Sequence, residues 1–206
     1  MDAYFITLEG PEGSGKSTQA EMLADALIKH GIKVKLTREP GGDPISEKIR
    51  NILLQGADDE ITDRTELFLY LAARAQHTER VIRPSLEAGV TIICARYIDS
   101  TTAYQGYGSG FDLELIRQLN HFATNGLMPH LTLLLDIDVE TGLRRQRRWN
   151  RIERKSIEYH QRVRAGFLEE ARLNPNRIVV IDSSRDVKTV HQEILRHVAE
   201  KLGLPI

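Results

Sequence analysis

One cysteine, Cys94, is all the thiol in this 206-residue chain, so no disulfide can form within it and packing must hold the fold. An excess of one charge is missing as well: 28 Lys and Arg face 29 Asp and Glu, a net charge of -1. A dedicated duplex binder carries a basic excess, so no nucleic-acid partner is expected. Long apolar runs are lacking; none approaches the ~18 residues of a membrane span, and no membrane partner is expected either. Nothing at the start resembles a signal peptide, because Met1-Asp2-Ala3 runs directly into an apolar strand. A cytoplasmic location is the expectation. Repeats, low-complexity tracts and linkers are absent too, which points to one domain over residues 1–206.

What the chain does have is concentrated near its start. Tyr4-Phe5-Ile6-Thr7-Leu8-Glu9 reads as a short strand, followed by Gly10-Pro11-Glu12-Gly13-Ser14-Gly15-Lys16-Ser17-Thr18 and then helical spacing. Gly10, Gly15, Lys16 and Ser17 fit G-x-x-x-x-G-K-[ST], the loop that cradles phosphates in nucleoside triphosphate enzymes. Glycines let the backbone approach closely, so that successive N–H groups and the positive end of the following helix face the phosphate oxygens. Lys16 supplies a mobile ammonium for the outer phosphates, and the Ser17 hydroxyl is a hard oxygen ligand for Mg²⁺. ATP and Mg²⁺ are therefore the expected cofactors.

Along the chain, helical periodicity is expected over Ser17–His30, Ile45–Gln55, Asp63–Gly89, Asp112–Thr124, Val139–Trp149, Ser156–Leu173 and Val187–Leu202. Strands are expected at Lys33–Thr37, Val90–Ala95, Leu131–Leu135 and Arg177–Ile181, several of them nearly continuous apolar runs that suit burial on both faces. Alternating strands and helices imply an α/β fold, a five-stranded parallel sheet with helices on both faces. Ligands in such folds gather beyond the carboxyl ends of the strands. Those ends are Glu9-Gly10, Arg38-Glu39, Arg96-Tyr97, Asp136-Asp138 and Asp182-Ser183.

Several residues suit anion or base binding by type and position. Arg38, between a strand and Pro40-Gly41-Gly42, offers a guanidinium for bidentate contact with an anion. Arg96 emerges from the buried run Ile92-Ile93-Cys94-Ala95 and needs a partner, for which a phosphate would serve. Tyr70 and Arg74 lie four apart on one helical face, an aromatic plate beside a donor. Gln105 can both donate and accept, with Thr101 and Tyr104 on the same segment. The basic run Arg144-Arg145-Gln146-Arg147-Arg148-Trp149-Asn150-Arg151-Ile152-Glu153-Arg154 is either a solvated face or a mobile arginine-rich lid at about 143–155.

The phosphate loop, Arg38-Glu39-Pro40-Gly41-Gly42, Leu71-Ala72-Ala73-Arg74-Ala75-Gln76-His77, Arg96-Tyr97-Ile98-Asp99-Ser100-Thr101 and Ala103-Tyr104-Gln105-Gly106 together resemble bacterial thymidylate kinase, from about Tyr4 to the final helix. The resemblance implies a P-loop nucleoside monophosphate kinase fold and transfer of the γ-phosphoryl of ATP to dTMP, giving ADP and dTDP. It implies that Lys16, Arg38 and Arg96 serve catalysis, with Arg38 and Arg96 at the acceptor phosphate. Residues 10–18 would hold ATP: Gly10, Pro11, Glu12, Gly13, Ser14, Gly15, Lys16, Ser17 and Thr18, Ser17 being the metal ligand. Tyr70 would stack the base, Arg74 would meet thymine O4, and Gln105 its O4 and N3–H edge, with Thr101 beside them. Tyr104 would crowd the sugar C2′ and Glu12 would meet its 3′-OH. One or two of Arg144, Arg148, Arg151 and Arg154 would reach the phosphates, Arg148 and Arg151 for catalysis and Arg144 for ATP. A homodimer is implied as well.

Five positions depart from that family. Ala95 stands where Asp or Glu normally precedes the Arg-Tyr pair; Asp43, Ser46 and Ser109 replace an expected Thr, Gly and Arg; and Tyr70 replaces the usual Phe more mildly. A methyl group cannot hold a metal shell or orient a phosphate, and losing one electrostatic contributor of this kind costs on the order of 10²–10³ in rate. Three readings stay open: a substitution that switches catalysis off, a weak variant, or rescue by Glu39 or Asp99. Rival functions are a nucleotide-binding relative with little turnover and a kinase for another pyrimidine nucleotide.

Overall fold

The computed structural model describes residues 3–55, 61–146 and 151–203. Its first strand, β1 (Phe5–Glu9), leads into helix α1 (Lys16–Lys29), strand β2 (Val34–Arg38) and helices α2 (Pro44–Gln55) and α3 (Asp63–His77). A π-helical turn over Thr78–Ile82 joins α3 to α4 (Arg83–Glu87), after which come β3 (Thr91–Ala95), α5 (Ile98–Thr101) and a second π-helical stretch, Thr102–Gly108. The chain ends with α6 (Leu113–Thr124), β4 (Leu131–Asp136), α7 (Val139–Arg144), α8 (Ile157–Leu173), β5 (Ile178–Asp182) and α9 (Val187–Leu202).

All five strands are parallel, in the order β2-β3-β1-β4-β5. β1 is central, paired to β3 through Thr7↔Cys94 and to β4 through Thr7↔Thr132. Side chains alternate across each strand, so the sheet feeds two cores. Ile6, Leu8, Ile93, Leu133 and Leu135 pack with Leu23 and Leu27 of α1 and with Val190, Ile194 and Val198 of α9. On the other face, Phe5, Ile92 and Cys94 meet Tyr97 and Ile82, and Leu134 meets Val163 and Phe167 of α8. Helices thus cover both faces, as the sequence pattern implies. Among the described residues no helix is long and apolar enough to cross a membrane.

The expected boundaries move for identifiable reasons. Asp112 and Ser156 are caps rather than first helical residues: Asp112 Oδ1 accepts from Leu115 N at 2.8 Å, and Ser156 Oγ from Tyr159 N at 3.2 Å. The long helix expected over Asp63–Gly89 is interrupted at Thr78–Ile82, just ahead of Pro84, which has no N–H to return to the preceding turn. The helical segment from Ile98 to Gly108 is not expected from the sequence, because Gly106, Gly108 and small polar residues hide its periodicity. Of the helix expected over Val139–Trp149, α7 covers Val139–Arg144, and 147–150 lie outside the described residues.

Leu23 is fully buried under β1 while Ile28, on the same helix, is largely exposed. Leu23→Ala should lower the unfolding free energy by about 2–5 kcal/mol through lost burial and a cavity, whereas Ile28→Ala should stay within about 0.5 kcal/mol. Urea unfolding of the two variants checks this, with equal slopes and only the Leu23 midpoint displaced.

Candidate functional site

The loop after β1 turns back over the sheet end and into α1. Gly13 has φ +70, and a Cβ there would lie 2.0 Å from the backbone oxygen of Gly142 in α7; a Cβ on Gly142 would lie 2.2 Å from the backbone oxygen of Glu12. Two backbones therefore touch where neither residue can carry a side chain. Gly15, at φ +88, faces open space instead and lines the cleft beside Ser17 and Thr18. Lys16 folds onto its own loop, donating from Nζ to the backbone oxygens of Gly10 (2.9 Å) and Pro11 (2.7 Å) and to Ser14 Oγ (3.1 Å). Burial, reinforced by Arg96, brings its ammonium down to about 7, against the pull of Glu12 and Glu9.

Arg96 follows β3 with φ +72, a left-handed conformation that a long side chain occupies at a cost of about 1–3 kcal/mol. One Nη donates to both oxygens of Glu12, at 2.8 and 2.9 Å; the other reaches Tyr104 Oη at 3.1 Å and Ser100 Oγ at 3.4 Å. The guanidinium also lies 5.1 Å from the Tyr104 ring centre. Tyr104 Oη donates in turn to Glu12 at 2.8 Å. Burial alone would raise the Glu12 carboxyl, but Arg96 and Lys16 outweigh it and hold it down to about 2. Beneath them Glu9 accepts from Tyr97 N at 2.7 Å and Ser100 Oγ at 2.6 Å; burial first, then Asp99, pushes it up to about 7.

Loop and strand end face a cleft of about 530 Å³ whose far side is built by α3 and the second π-helical stretch. Tyr70, Arg74, Thr101, Tyr104 and Gln105 all line it. Arg74 is buried, with four N–H groups engaged: Nε to Glu39 (2.8 Å), Nη1 to Thr101 Oγ1 and Asn120 Oδ1 (both 2.7 Å), and Nη2 to the Tyr97 carbonyl (2.8 Å). Of the five donors of a guanidinium, one has no partner among the described residues. Gln105 donates from Nε2 to Glu66 at 2.8 Å.

Not every expected residue reaches the cleft. Arg38 is 48% exposed and pairs with Glu47 at 3.0 Å, outside the lining. Arg144, 69% exposed, pairs along its own helix with Glu140. Arg151 donates to Glu66, behind Gln105 rather than at the loop. Arg148 lies outside the described residues. Asp136 and Asp182 serve Arg164 and a turn at Ser184, so two of the five strand ends stay apart from the cleft. Two further basic residues line it that sequence reasoning missed. Arg50 of α2 donates to the Pro40 carbonyl at 2.8 Å, and Arg145 to the carbonyls of Ser183 (3.1 Å) and Ser184 (3.3 Å). Arg50 follows the Pro-Gly-Gly turn by about two helical turns, a spacing that was there to be used. Ser46 is buried, and its hydroxyl ties α2 to the Ala73 carbonyl of α3 at 2.9 Å, which accounts for its presence there.

The carboxylates that could cover for Ala95 are occupied. Glu39 is split between Arg74 and His77, and Asp99 is held by Arg177 at 2.7 and 2.8 Å. At Gly15 the cleft is open, with Gly13, Lys16, Ser17 and Thr18 beside it, the donor set that suits a triphosphate. For a divalent cation, no group of three or more acidic, His or Cys side chains among the described residues forms a protein-only site. Ser17 with nucleotide oxygens and water is the donor set that fits.

Comparison with known proteins accords with this geometry. The family model described as Thymidylate kinase matches residues 8–194. A thymidylate kinase of Exiguobacterium is 45% identical over 98% of this chain and 97% of its own length, and one of Syntrophotalea carbinolica is 46% identical over 98% of each. The crystal structure of thymidylate kinase from Ehrlichia chaffeensis superimposes with a TM-score of 0.79 at 36% identity, covering 96% of this chain and 99% of that one.

Because Gly142 abuts the Glu12 backbone, Gly142→Ala should displace the loop rather than a side chain. Affinity for a triphosphate nucleotide, measured calorimetrically, should fall on the order of ten-fold, since a displaced loop loses aligned N–H donors. Unchanged affinity would show that the loop can shift without losing its function.

Proposed function

The chain belongs to the thymidylate kinase family, whose reaction moves a phosphoryl group from ATP to dTMP to give dTDP, and we propose how its residues divide that work. The observation that carries the proposal is the Glu12–Arg96–Tyr104 cluster, which joins the phosphate loop to the pocket containing Tyr70, Arg74 and Gln105. Donor and acceptor sites separated by that cluster set the two phosphates toward each other. Phosphoryl transfer needs little covalent help beyond positioning and charge stabilisation. A dTMP phosphate oxygen is the nucleophile, and no covalent enzyme intermediate is required.

In this reading Arg96 turns from Glu12 toward the acceptor phosphate, with Arg50 on its other side, and Lys16 leaves the loop carbonyls for the transferring group. Glu12, so released, accepts from the sugar 3′-OH while Tyr104 occupies the space where a 2′-OH would sit. Tyr70 stacks the base. The remaining Arg74 donor faces O4 and Gln105 accepts from N3–H, a pattern that cytosine reverses at position 4 and so disfavours. Ser17 would hold Mg²⁺ together with phosphate oxygens; the ion neutralises developing charge when bound. Residues around 143–155 act as the lid of a single domain, and Arg145 is the described arginine best placed toward the loop. The working unit is a homodimer in the cytoplasm.

Ala95 is the one feature favouring a second reading, a nucleotide-binding relative without turnover. ADP release with ATP, Mg²⁺ and dTMP should be measurable and dependent on dTMP. Ala95→Asp should raise kcat on the order of 10²-fold by restoring a carboxylate where the metal shell and acceptor phosphate meet. If neither form turns over while dTMP still binds, the second reading replaces the first.

Lys16 carries a pH consequence. Its folded value is lowered to about 7, so the free enzyme holds it largely neutral above that pH. Phosphate oxygens favour the charged form, and binding in that range must take up protons. Titrating a non-hydrolysable ATP analogue at about pH 8.5 in buffers of different ionisation enthalpy should show uptake approaching about one proton. Heats independent of buffer would count against it.

A further inference from the structure

We propose that Glu66 sets which base the enzyme accepts, by fixing the orientation of the Gln105 amide; this rests on the reading of Gln105 as a base contact. Glu66 lies on α3 and has no exposed surface, so its carboxylate must be fully partnered to be tolerated there. Oε1 accepts from Gln105 Nε2 at 2.8 Å and faces Lys155 Nζ at 3.7 Å; Oε2 accepts from Arg151 Nη2. An ionised carboxylate only accepts hydrogen bonds. The NH₂ of Gln105 is therefore compelled to face Glu66. Its carbonyl oxygen, for which no hydrogen bond is found among the described residues, is left to the cleft that Gln105 lines. Thymine carries N–H at position 3 and suits an oxygen there, whereas cytosine carries a bare ring nitrogen and does not.

The cations behind Glu66 determine what a neutral isostere would do. Arg151 and Lys155 are donors only. In Glu66→Gln the single amide oxygen turns to them, and the new NH₂ turns to Gln105. Two NH₂ groups cannot face each other, so Gln105 inverts and presents its own NH₂ to the base. Position 3 of dCMP is then matched and that of dTMP is not. The 4-amino group of cytosine still meets Arg74, so the exchange of preference is partial. Glu66 acts through Gln105 and is a positioning residue, without touching the substrate.

The test is the ratio of kcat/KM for dTMP to that for dCMP, measured in the wild type, Glu66→Gln, Gln105→Ala and the double variant. The ratio within one preparation does not depend on how much of it is folded. The expected result is a fall on the order of ten-fold in Glu66→Gln, the scale of exchanging one matched hydrogen bond for an unmatched one. A larger KM for dTMP should accompany a nearly unchanged KM for ATP. The double variant should match Gln105→Ala alone. If Gln105→Ala lowers the ratio and Glu66→Gln does not, the positioning role is overturned and the base contact stands. Additive losses in the double variant would overturn it too, since Glu66 would then act independently. If Gln105→Ala itself leaves the ratio unchanged, the underlying base-site reading fails and the inference falls with it.

Discussion

The contact between Arg96 and Glu12 is the constraint on which the site depends. Arg96 leaves β3 in a left-handed conformation, and its guanidinium is returned across the sheet end to a carboxylate of the phosphate loop. Without that return the backbone strain at residue 96 would have no compensation, and the loop would keep only the Tyr104 hydroxyl as its link to the opposite wall. Tyr104 completes the link, donating to Glu12 and packing its ring against the guanidinium. One ion pair thereby sets the distance between the two halves of the cleft. In the proposed reading Arg96 turns to a phosphate and Glu12 to a sugar hydroxyl, so the free form is held together by an interaction that substrate replaces.

Buried charge elsewhere in the cleft follows the same logic. Lys16 is satisfied by carbonyls of its own loop and is reluctant to stay charged; Glu9, just beneath, is reluctant to ionise. Arg74 differs, because four of its donors are committed to Glu39, Thr101, Asn120 and the Tyr97 carbonyl. A side chain so tied cannot reorganise when a ligand arrives, which suits a group that recognises rather than reacts. In the proposed reading the cleft thus combines displaceable cations at its phosphate end with an immobile one at its base end.

The sheet was legible because the apolar runs at Ile92-Ile93-Cys94-Ala95 and Leu131–Leu135 are too short for helices and too continuous for surface strands. The loop was legible because its chemistry demands fixed residue types at fixed spacing. The arginines were less so. Arg38 and Arg50 are twelve positions apart on either side of the same turn, and nothing in spacing alone says that Arg38 is drawn off by Glu47 while Arg50 reaches the cleft. Arg144 and Arg145 are neighbours, yet helical geometry sends one along its own helix to Glu140 and the other to the loop at Ser183. Glu66 was invisible for a different reason. Its importance comes from Gln105, Arg151 and Lys155, which approach it from 39, 85 and 89 positions away.

The central place of β1 has a consequence for how the protein comes apart. Ile6 and Leu8 belong to one core and Phe5 to the other, and hydrogen-bonded neighbours flank the strand on both sides. Sliding it by one residue would exchange the two sets of side chains and spoil both cores together. Its amide protons can reach solvent only when a whole flank of the sheet detaches, so their exchange tracks global unfolding. The root of the phosphate loop is therefore among the last parts of the molecule to open, even though the loop itself borders solvent.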